Sequence, residues 1–278
     1  MIVAVIMCFY RRDDLEYFKL SVDSILSQSY NSFELFIFRD GVVNPLAQQF
    51  LDSLKENTKV TVIESSSNIG LARGLNVLID RVTSLGYFDY IARMDADDIS
   101  YSDRIKKQVA FMDSNPDVGV SGTFCHEFGS YLALDVKELP LKHDELVKFS
   151  VTRCPFIHPT VIFRSELFDK GFRYPVDTHL TEDLALWFEL MASGEKMSNL
   201  NEVLLDFRIG DDTIKRRRGY KKSFHEMKLR IQFMLSMKCF TLKNLLFIFA
   251  KFIFHLLPNR AMALIYEKLR SRLLKQKL

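Results

Sequence analysis

Tyr90-Ile91-Ala92-Arg93-Met94-Asp95-Ala96-Asp97-Asp98 is the stretch on which the reading of this chain turns. Residues 90–94 suit a short buried strand, and the acidic run that follows at once suits a loop at that strand's carboxyl end. As the backbone begins to turn there, alternate carboxylates face a common ligand, and Asp95 with Asp97 offers hard oxygen donors for Mg²⁺ or Mn²⁺. An acidic loop capping the helix that starts near Ser102 accounts for the same residues. Pattern alone leaves both readings open.

Short apolar runs at 2–9, 34–38, 59–63 and 118–121 read as further strands, the first rich in β-branched residues. Helical spacing fills the gaps. Leu15, Phe18, Val22, Ile25 and Leu26 follow Asp13 and Asp14, and Asn44-Pro45 supplies a cap and a first-turn proline. A third pattern runs from Leu71 to Ser84, and Ile105, Val109 and Met112 mark a fourth. Strand followed by helix, four times over, predicts an α/β fold with a mostly parallel sheet covered on both faces. Ligands of such sheets bind beyond the carboxyl ends of the strands. The stops there are polar: Phe9-Tyr10-Arg11-Arg12, Arg39-Asp40-Gly41, residues 65–70 and the acidic run after Met94.

The second half is less regular. Residues 155–164 read as a turn into a short strand, 181–193 as a helix closed by Gly194, and 203–207 as a strand. Thr181-Glu182-Asp183 opens that helix, where a carboxylate serves either as a general base or as a cap. From residue 211 onward there are 17 basic and 4 acidic residues, so an acidic body carries a basic tail. Residues 245–257 are apolar apart from Lys251 and His255. Thirteen residues fall short of the roughly 20 that a spanning helix needs, so the expectation is a helix lying on an anionic membrane surface.

The chain has 278 residues, 48% hydrophobic and 26% charged, which excludes a disordered or fibrous protein. Cys8, Cys125, Cys154 and Cys239 lack any CxxC spacing and suggest neither a disulfide framework nor a zinc site, so a reducing, cytoplasmic compartment is expected. The first residues place apolar side chains before charges, the reverse of a secretory signal.

Seven segments, taken in order, resemble family 2 glycosyltransferases of the GT-A fold, the nucleotide-sugar enzymes that build bacterial surface polysaccharides. They are VAVIMCFYRR (3–12), SILSQSY (24–30), ELFIFRDG (34–41), NIGLARGLN (68–76), YIARMDADDIS (90–100) with Arg104 and Gln108 after it, HPTVIFR (158–164) and TEDLALWFEL (181–190). The resemblance covers 1–210 and implies a nucleotide-sugar half over about 1–122 and an acceptor half over about 123–210; the basic, amphipathic stretch over 211–278 is the expected membrane-associating tail. It assigns nucleobase contacts to Phe9 and Asp40, a nucleotide contact to Arg73, and ribose and metal-bound diphosphate to Asp95 and Asp97, with Asp97 the direct ligand. Asp183, of the Glu182-Asp183 pair, is the implied base, and His158 lines the acceptor side. The chain departs from the family pattern at four places: Arg73 sits three rather than four residues beyond Gly70, Cys8 replaces a small hydroxyl residue, Arg39-Asp40-Gly41 lacks the second acidic residue of many relatives, and Arg208-Ile209-Gly210 stands where relatives often have Arg-x-His. Arg208 and the Lys215–Arg218 run are the candidates to replace that histidine on the diphosphate.

The implied reaction is a metal-dependent single displacement: a hexose leaves UDP, as UDP-glucose or UDP-galactose, and joins a hydroxyl of a polyprenyl-diphosphate-linked saccharide with inversion to a β-linkage. The enzyme would work at the inner face of the cell membrane, in O-antigen, capsule or exopolysaccharide synthesis, with no nucleic acid as partner. Simpler roles remain for single residues. His158 also suits a structural position, and Trp187, a candidate platform for a sugar ring, also suits a helix core. Two other functions compete: a catalytically silent nucleotide-sugar scaffold at the membrane, and a nucleic-acid-binding protein using the basic tail.

Overall fold

The structure, a computed structural model, describes residues 1–131, 133–178, 180–210, 219–258, 261–262 and 265. Strands β1 (Val3–Tyr10), β2 (Phe33–Asp40), β3 (Val60–Glu64) and β4 (Tyr90–Met94) pair in parallel in the order β3-β2-β1-β4. Between them run helices α1 (Leu15–Leu26), α2 (Pro45–Leu54) and α3 (Leu71–Leu85). Asp14 caps α1 by accepting from the Glu16 and Tyr17 N–H groups, and Asn44 caps α2 through Ala47 N at 2.8 Å. The predicted α/β unit is therefore present, with each strand end within two residues of its expected place.

The sheet continues past β4 through short β5 (Ile99–Ser100), helix α4 (Arg104–Ser114), β6 (Val118–Phe128), helix α5 (His143–Ser150), β7 (Ile162–Arg164), helix α6 (Glu166–Asp169), helix α7 (Glu182–Ala192) and β8 (Lys196–Arg208). Its order is β3-β2-β1-β4-β7-β6-β8-β5. Strand β7 runs antiparallel to both β4 and β6, while β6 and β8 pair in parallel with shifts of register. The long β6–β8 pair replaces the short runs expected at 118–121 and 203–207.

Side-chain alternation divides the core. Val5, Met7, Phe9, Tyr90, Ala92 and Met94 face α1, α2 and α4, whereas Ala4, Ile6, Phe38, Ile91 and Phe163 face α3 and α7. Gly74 lets α3 close on this second face, since a Cβ there would lie 2.7 Å from the Phe38 ring and 3.2 Å from Cys8 Sγ.

Helices α8 (Tyr220–Ser236) and α9 (Leu242–Leu256) follow. The core crosses the compositional boundary at 210: Phe233 of α8 stacks on Phe188 of α7 at 4.0 Å, and Met234 and Ile248 are buried in the same cluster. Buried Arg230 donates to Ser150 O at 2.6 Å and to Glu226, which also accepts from Lys251 of α9 at 2.5 Å. Leu242, Leu246, Phe247, Phe249, Ile253 and Leu256 of α9 are exposed. Among the described residues no helix is long and apolar enough to cross a membrane. The Lys215–Arg218 run lies outside the described residues.

Candidate active site

At the carboxyl end of β2, Asp40 accepts from Ile69 N at 2.6 Å, Asn68 Nδ2 at 2.8 Å and Gly70 N at 3.0 Å, so it fastens the loop that leads into α3. Gly41 (φ +83°) is required beside it, because a Cβ would stand 2.9 Å from Asn68 N. Arg73 is exposed in the first turn of α3, just past that loop. Phe9 departs from its assignment. Its ring is 1% exposed and stacks on Phe18 at 4.1 Å in the core, which leaves only its main chain for a nucleobase.

The acidic turn after β4 is pinned through its backbone from several sides. Ser21 donates to Asp95 O at 2.6 Å, Arg208 Nε to Asp97 O at 2.8 Å, and Arg208 N to Asp98 Oδ1 at 2.8 Å. The Arg208 guanidinium is sandwiched by Tyr17 and Phe128, 3.7 and 4.4 Å from their ring centres. Beneath the turn, buried Arg104 donates to Arg93 O at 2.7 Å and to Gln108, which reaches Thr160 O at 2.8 Å. Gln28 bonds to Tyr101 O and Ile105 N, tying α1 to the start of α4. Thus several of the polar residues in the motif segments brace the turn rather than touch a ligand.

Asp95, Asp97 and Asp98 each bring one carboxylate oxygen within 4.8 Å of the others. Asp98 is fully buried and its Oδ2 has no hydrogen-bond partner; burial first, then the charges of Asp95 and Asp97, pushes its pKa well up. Three converging hard oxygens, one of them orphaned, fit a divalent cation. Arg93, 2% exposed on β4, forms an ion pair with Asp95 through Nη2.

Asp183 stands half-buried in the first turn of α7. It accepts from Leu184 N at 2.7 Å, and the Cys154 thiol donates to its other oxygen at 3.7 Å. Burial pushes its pKa up, against the Leu184 N–H and the charges of Arg93 and Lys222. Glu182 beside it is also pushed up by burial. His158, in a 3₁₀ turn (His158–Thr160) ahead of β7, meets the Tyr174 hydroxyl at 2.8 Å. Burial and then Arg93 push its pKa well down, so its imidazole is neutral near pH 7.

Trp187 is corrected. It is 0% exposed, stacked on Phe163 at 5.6 Å and packed edge-on to Phe156, so it builds the core and offers no platform for a sugar. Sequence reading missed Arg93, Cys154, Tyr174 and Lys222 as neighbours of the site. Arg93 carried a signal: it shares alternation with Asp95 on a strand whose other residues are apolar.

A mostly parallel sheet that carries an acidic turn and a half-buried carboxylate beyond its strand ends fits a glycosyltransferase of the GT-A fold. The Glycosyl transferase family 2 model matches residues 4–172, and the chain belongs to that family; it is a glycosyltransferase. It is 28% identical over 266 residues to the amylovoran biosynthesis glycosyltransferase AmsE of Erwinia amylovora, covering 95% of this chain and 98% of that one. It is 29% identical over 278 residues to the UDP-Gal:alpha-D-GlcNAc-diphosphoundecaprenol beta-1,3-galactosyltransferase of Escherichia coli, covering 98% and 97%. Among solved structures, the mannosyltransferase PcManGT from Pyrobaculum calidifontis in complex with GDP-Man and Mn²⁺ shares the fold at a TM-score of 0.62 and 16% identity, covering 96% of this chain and 73% of that one.

Proposed function

We propose that this protein is an inverting glycosyltransferase of bacterial surface-polysaccharide synthesis that moves galactose or glucose from its UDP derivative to a hydroxyl of a polyprenyl-diphosphate-linked saccharide, forming a β-linkage. The observation that carries this reading is the pairing of two unlike acidic sites, the Asp95-Ala96-Asp97-Asp98 turn and Asp183, with Arg93 charged between them. A relative that uses UDP-Gal and a diphosphoundecaprenol acceptor, alike over nearly its whole length, supports the substrates.

Asp97, with Asp95 and Asp98, would hold Mn²⁺ or Mg²⁺, which when bound supplies Lewis-acid neutralisation of the diphosphate. Asp40 and its loop, with Arg73, stand at the strand ends where the nucleoside binds. Asp183 takes the proton of the acceptor hydroxyl as that oxygen attacks the anomeric carbon and the bond to the diphosphate oxygen breaks. Elevation of its pKa makes the carboxylate a better proton acceptor, and such help is worth about 10²–10⁴-fold. One displacement inverts the anomeric centre, so an α-linked donor yields a β-linked product. His158, neutral, holds Tyr174 rather than competing for the proton.

The tail supplies the address. The exposed apolar row of α9 and the basic surplus after 210 suit a lipid-water interface with anionic headgroups, and this supports a working position at the inner face of the cell membrane.

The test is nucleotide release from UDP-, GDP- and dTDP-sugars with Mn²⁺ and a detergent-solubilised lipid-diphosphate-linked monosaccharide, wild type against Asp97→Ala. Metal-dependent release from a UDP-hexose, lost in the variant and giving a β-linked product by NMR, is expected. An α-linked product overturns inversion, and binding of no nucleotide sugar overturns the donor reading. Flotation with phosphatidylglycerol vesicles but not with phosphatidylcholine vesicles checks the membrane contact.

A further inference from the structure

Arg93 is the least explained charged group of the site. It is 2% exposed, it lies on the sheet face shared with α3 and α7, and only Nη2 is engaged, by Asp95. Its Nε and Nη1 have no hydrogen-bond partner. Guanidinium stays charged in proteins, and a buried N–H donor without an acceptor is costly, so native structures satisfy nearly all of them.

Its position says which acceptor it waits for. Arg93 pairs with Asp95 of the acidic turn, and its N–H donates to Val161 O at 2.9 Å at the end of the His158–Thr160 turn, whose His158 ring packs on Trp187 of α7, the helix that opens with Asp183; the charges of Arg93 and Asp183 also act on each other. In a single displacement the anomeric carbon lies between the leaving diphosphate oxygen and the attacking hydroxyl. A group standing between the diphosphate holder and the base therefore stands beside the transferred sugar. Resting on the function proposed above, we infer that the Nε–H and Nη1–H of Arg93 donate to hydroxyl oxygens of the donor hexose, making Arg93 a specificity-determining contact of the sugar rather than of the nucleotide.

The same surroundings select the kind of sugar. The charge of Arg93 is already matched by Asp95, and Asp183, Glu182 and Asp98 add further carboxylates nearby. A uronic acid would bring one more anion into that field, whereas the neutral hydroxyls of a hexose accept hydrogen bonds without adding charge. Trp187 Nε1, on the same face and also without a partner, marks this part of the interior as rich in donors.

The experiment is a titration by calorimetry, with Mn²⁺ present, of UDP, UDP-galactose, UDP-glucose and UDP-glucuronic acid into wild type and Arg93→Lys. Lysine keeps the charge opposite Asp95 but loses the planar fork. The expected result is that wild type binds one UDP-hexose more tightly than UDP and than UDP-glucuronic acid, and that Arg93→Lys binds UDP as before while losing about 10-fold or more for that hexose donor. Equal loss for UDP and UDP-hexose overturns the inference and confines Arg93 to holding Asp95; no loss for either overturns it as well. Wild type that binds UDP but gains nothing from any hexose overturns the sugar contact alone. Wild type that binds no nucleotide overturns the underlying donor reading. Should Arg93→Lys fail to fold by near-ultraviolet circular dichroism, monodeoxy analogues of the preferred donor test the wild type directly. One or two positions are expected to carry the loss, and no sensitivity at any position overturns the contact.

Discussion

The acidic turn after β4 and the acidic start of α7 use the same residue type under opposite rules. The turn is held by Ser21, Arg208 and the buried Arg104–Gln108 relay, and Asp95 is paired with Arg93. Asp183 receives one N–H from its own helix and a thiol, with its neighbour Thr181 capping nothing. Rigid convergence of oxygens suits holding a charged group in place, and poor solvation of one carboxylate suits taking a proton. The environment, not the aspartate, assigns the role.

The largest expected effect breaks the proton-taking side alone. Asp183→Asn keeps shape and loses basicity, so turnover falls by about 10²–10⁴-fold while donor binding, measured by calorimetry, stays. Because burial raises the pKa of Asp183, its ionised form is disfavoured in the folded state, and that penalty grows as pH rises from the ordinary aspartate value through the raised one. The asparagine variant is therefore expected to melt higher than wild type at pH 7, and a lower melting temperature would argue against the penalty.

Next in size is a change that reaches Asp183 through the tail. Arg230 and Lys251 hold the 150–152 segment next to Cys154, and both depend on Glu226. Burial pushes the Glu226 pKa up, but Lys251 and Arg230 outweigh it and bring it below the ordinary value. Its contribution is thus present above about pH 4.5 and lost as pH falls toward the depressed value. Glu226→Gln leaves two buried cations facing each other and is expected to cost about 3–5 kcal/mol by denaturant unfolding at pH 7. Turnover is expected to drop more than UDP binding does, since the cluster anchors the segment that leads to Cys154 and Asp183.

A smaller effect tests the other side. Arg208→Lys keeps the charge but loses the sandwich between Tyr17 and Phe128 and the Nε–H to Asp97 O. Mn²⁺ affinity, followed by electron paramagnetic resonance, is expected to weaken about 10–100-fold, with the acid limb of the pH–rate profile unmoved. A shifted limb would mean that the two sites are not separable.

The parallel half was legible because period and caps act locally: apolar runs, Asp14, Asn44-Pro45 and the polar strand ends placed β1 to β4 and their loops. The acidic turn and Asp183 were legible as residue types at strand and helix ends. Position in three dimensions was not. Phe9 and Trp187, aromatic and close to motif residues, turned inward because alternation and helix packing bury them, and neither motif contains its partners Phe18 and Phe163. Antiparallel β7 and the long β6–β8 pair join segments roughly 40 to 80 residues apart, beyond the reach of any local pattern. Charge marked where the tail begins but not how it packs: Phe233, Arg230 and Lys251 bind it to the body through groups whose pairing no single-helix pattern reveals.

The smallest change bears on the thiol at 3.7 Å from Asp183. Cysteine is a weak donor, and its own pKa is pushed up to about 12, by burial first and then by Asp183, so it stays a neutral S–H throughout the working range. That contact favours the ionised base slightly. Removing it in Cys154→Ala leaves the Leu184 N–H and the charges of Arg93 and Lys222 to favour the carboxylate, and its pKa rises further. The acid limb of kcat/KM is expected to move to higher pH, with Mn²⁺ and UDP affinities unchanged and the plateau rate kept. Serine at the same position reverses the sign if its hydroxyl reaches the carboxylate, because an O–H is the stronger donor. The alanine and serine profiles, displaced to opposite sides of wild type, would make the basicity of Asp183 a tunable property of its surroundings. Coincident profiles would mean that the thiol does not set the basicity of Asp183, which burial then fixes against the Leu184 N–H and the charges of Arg93 and Lys222 alone.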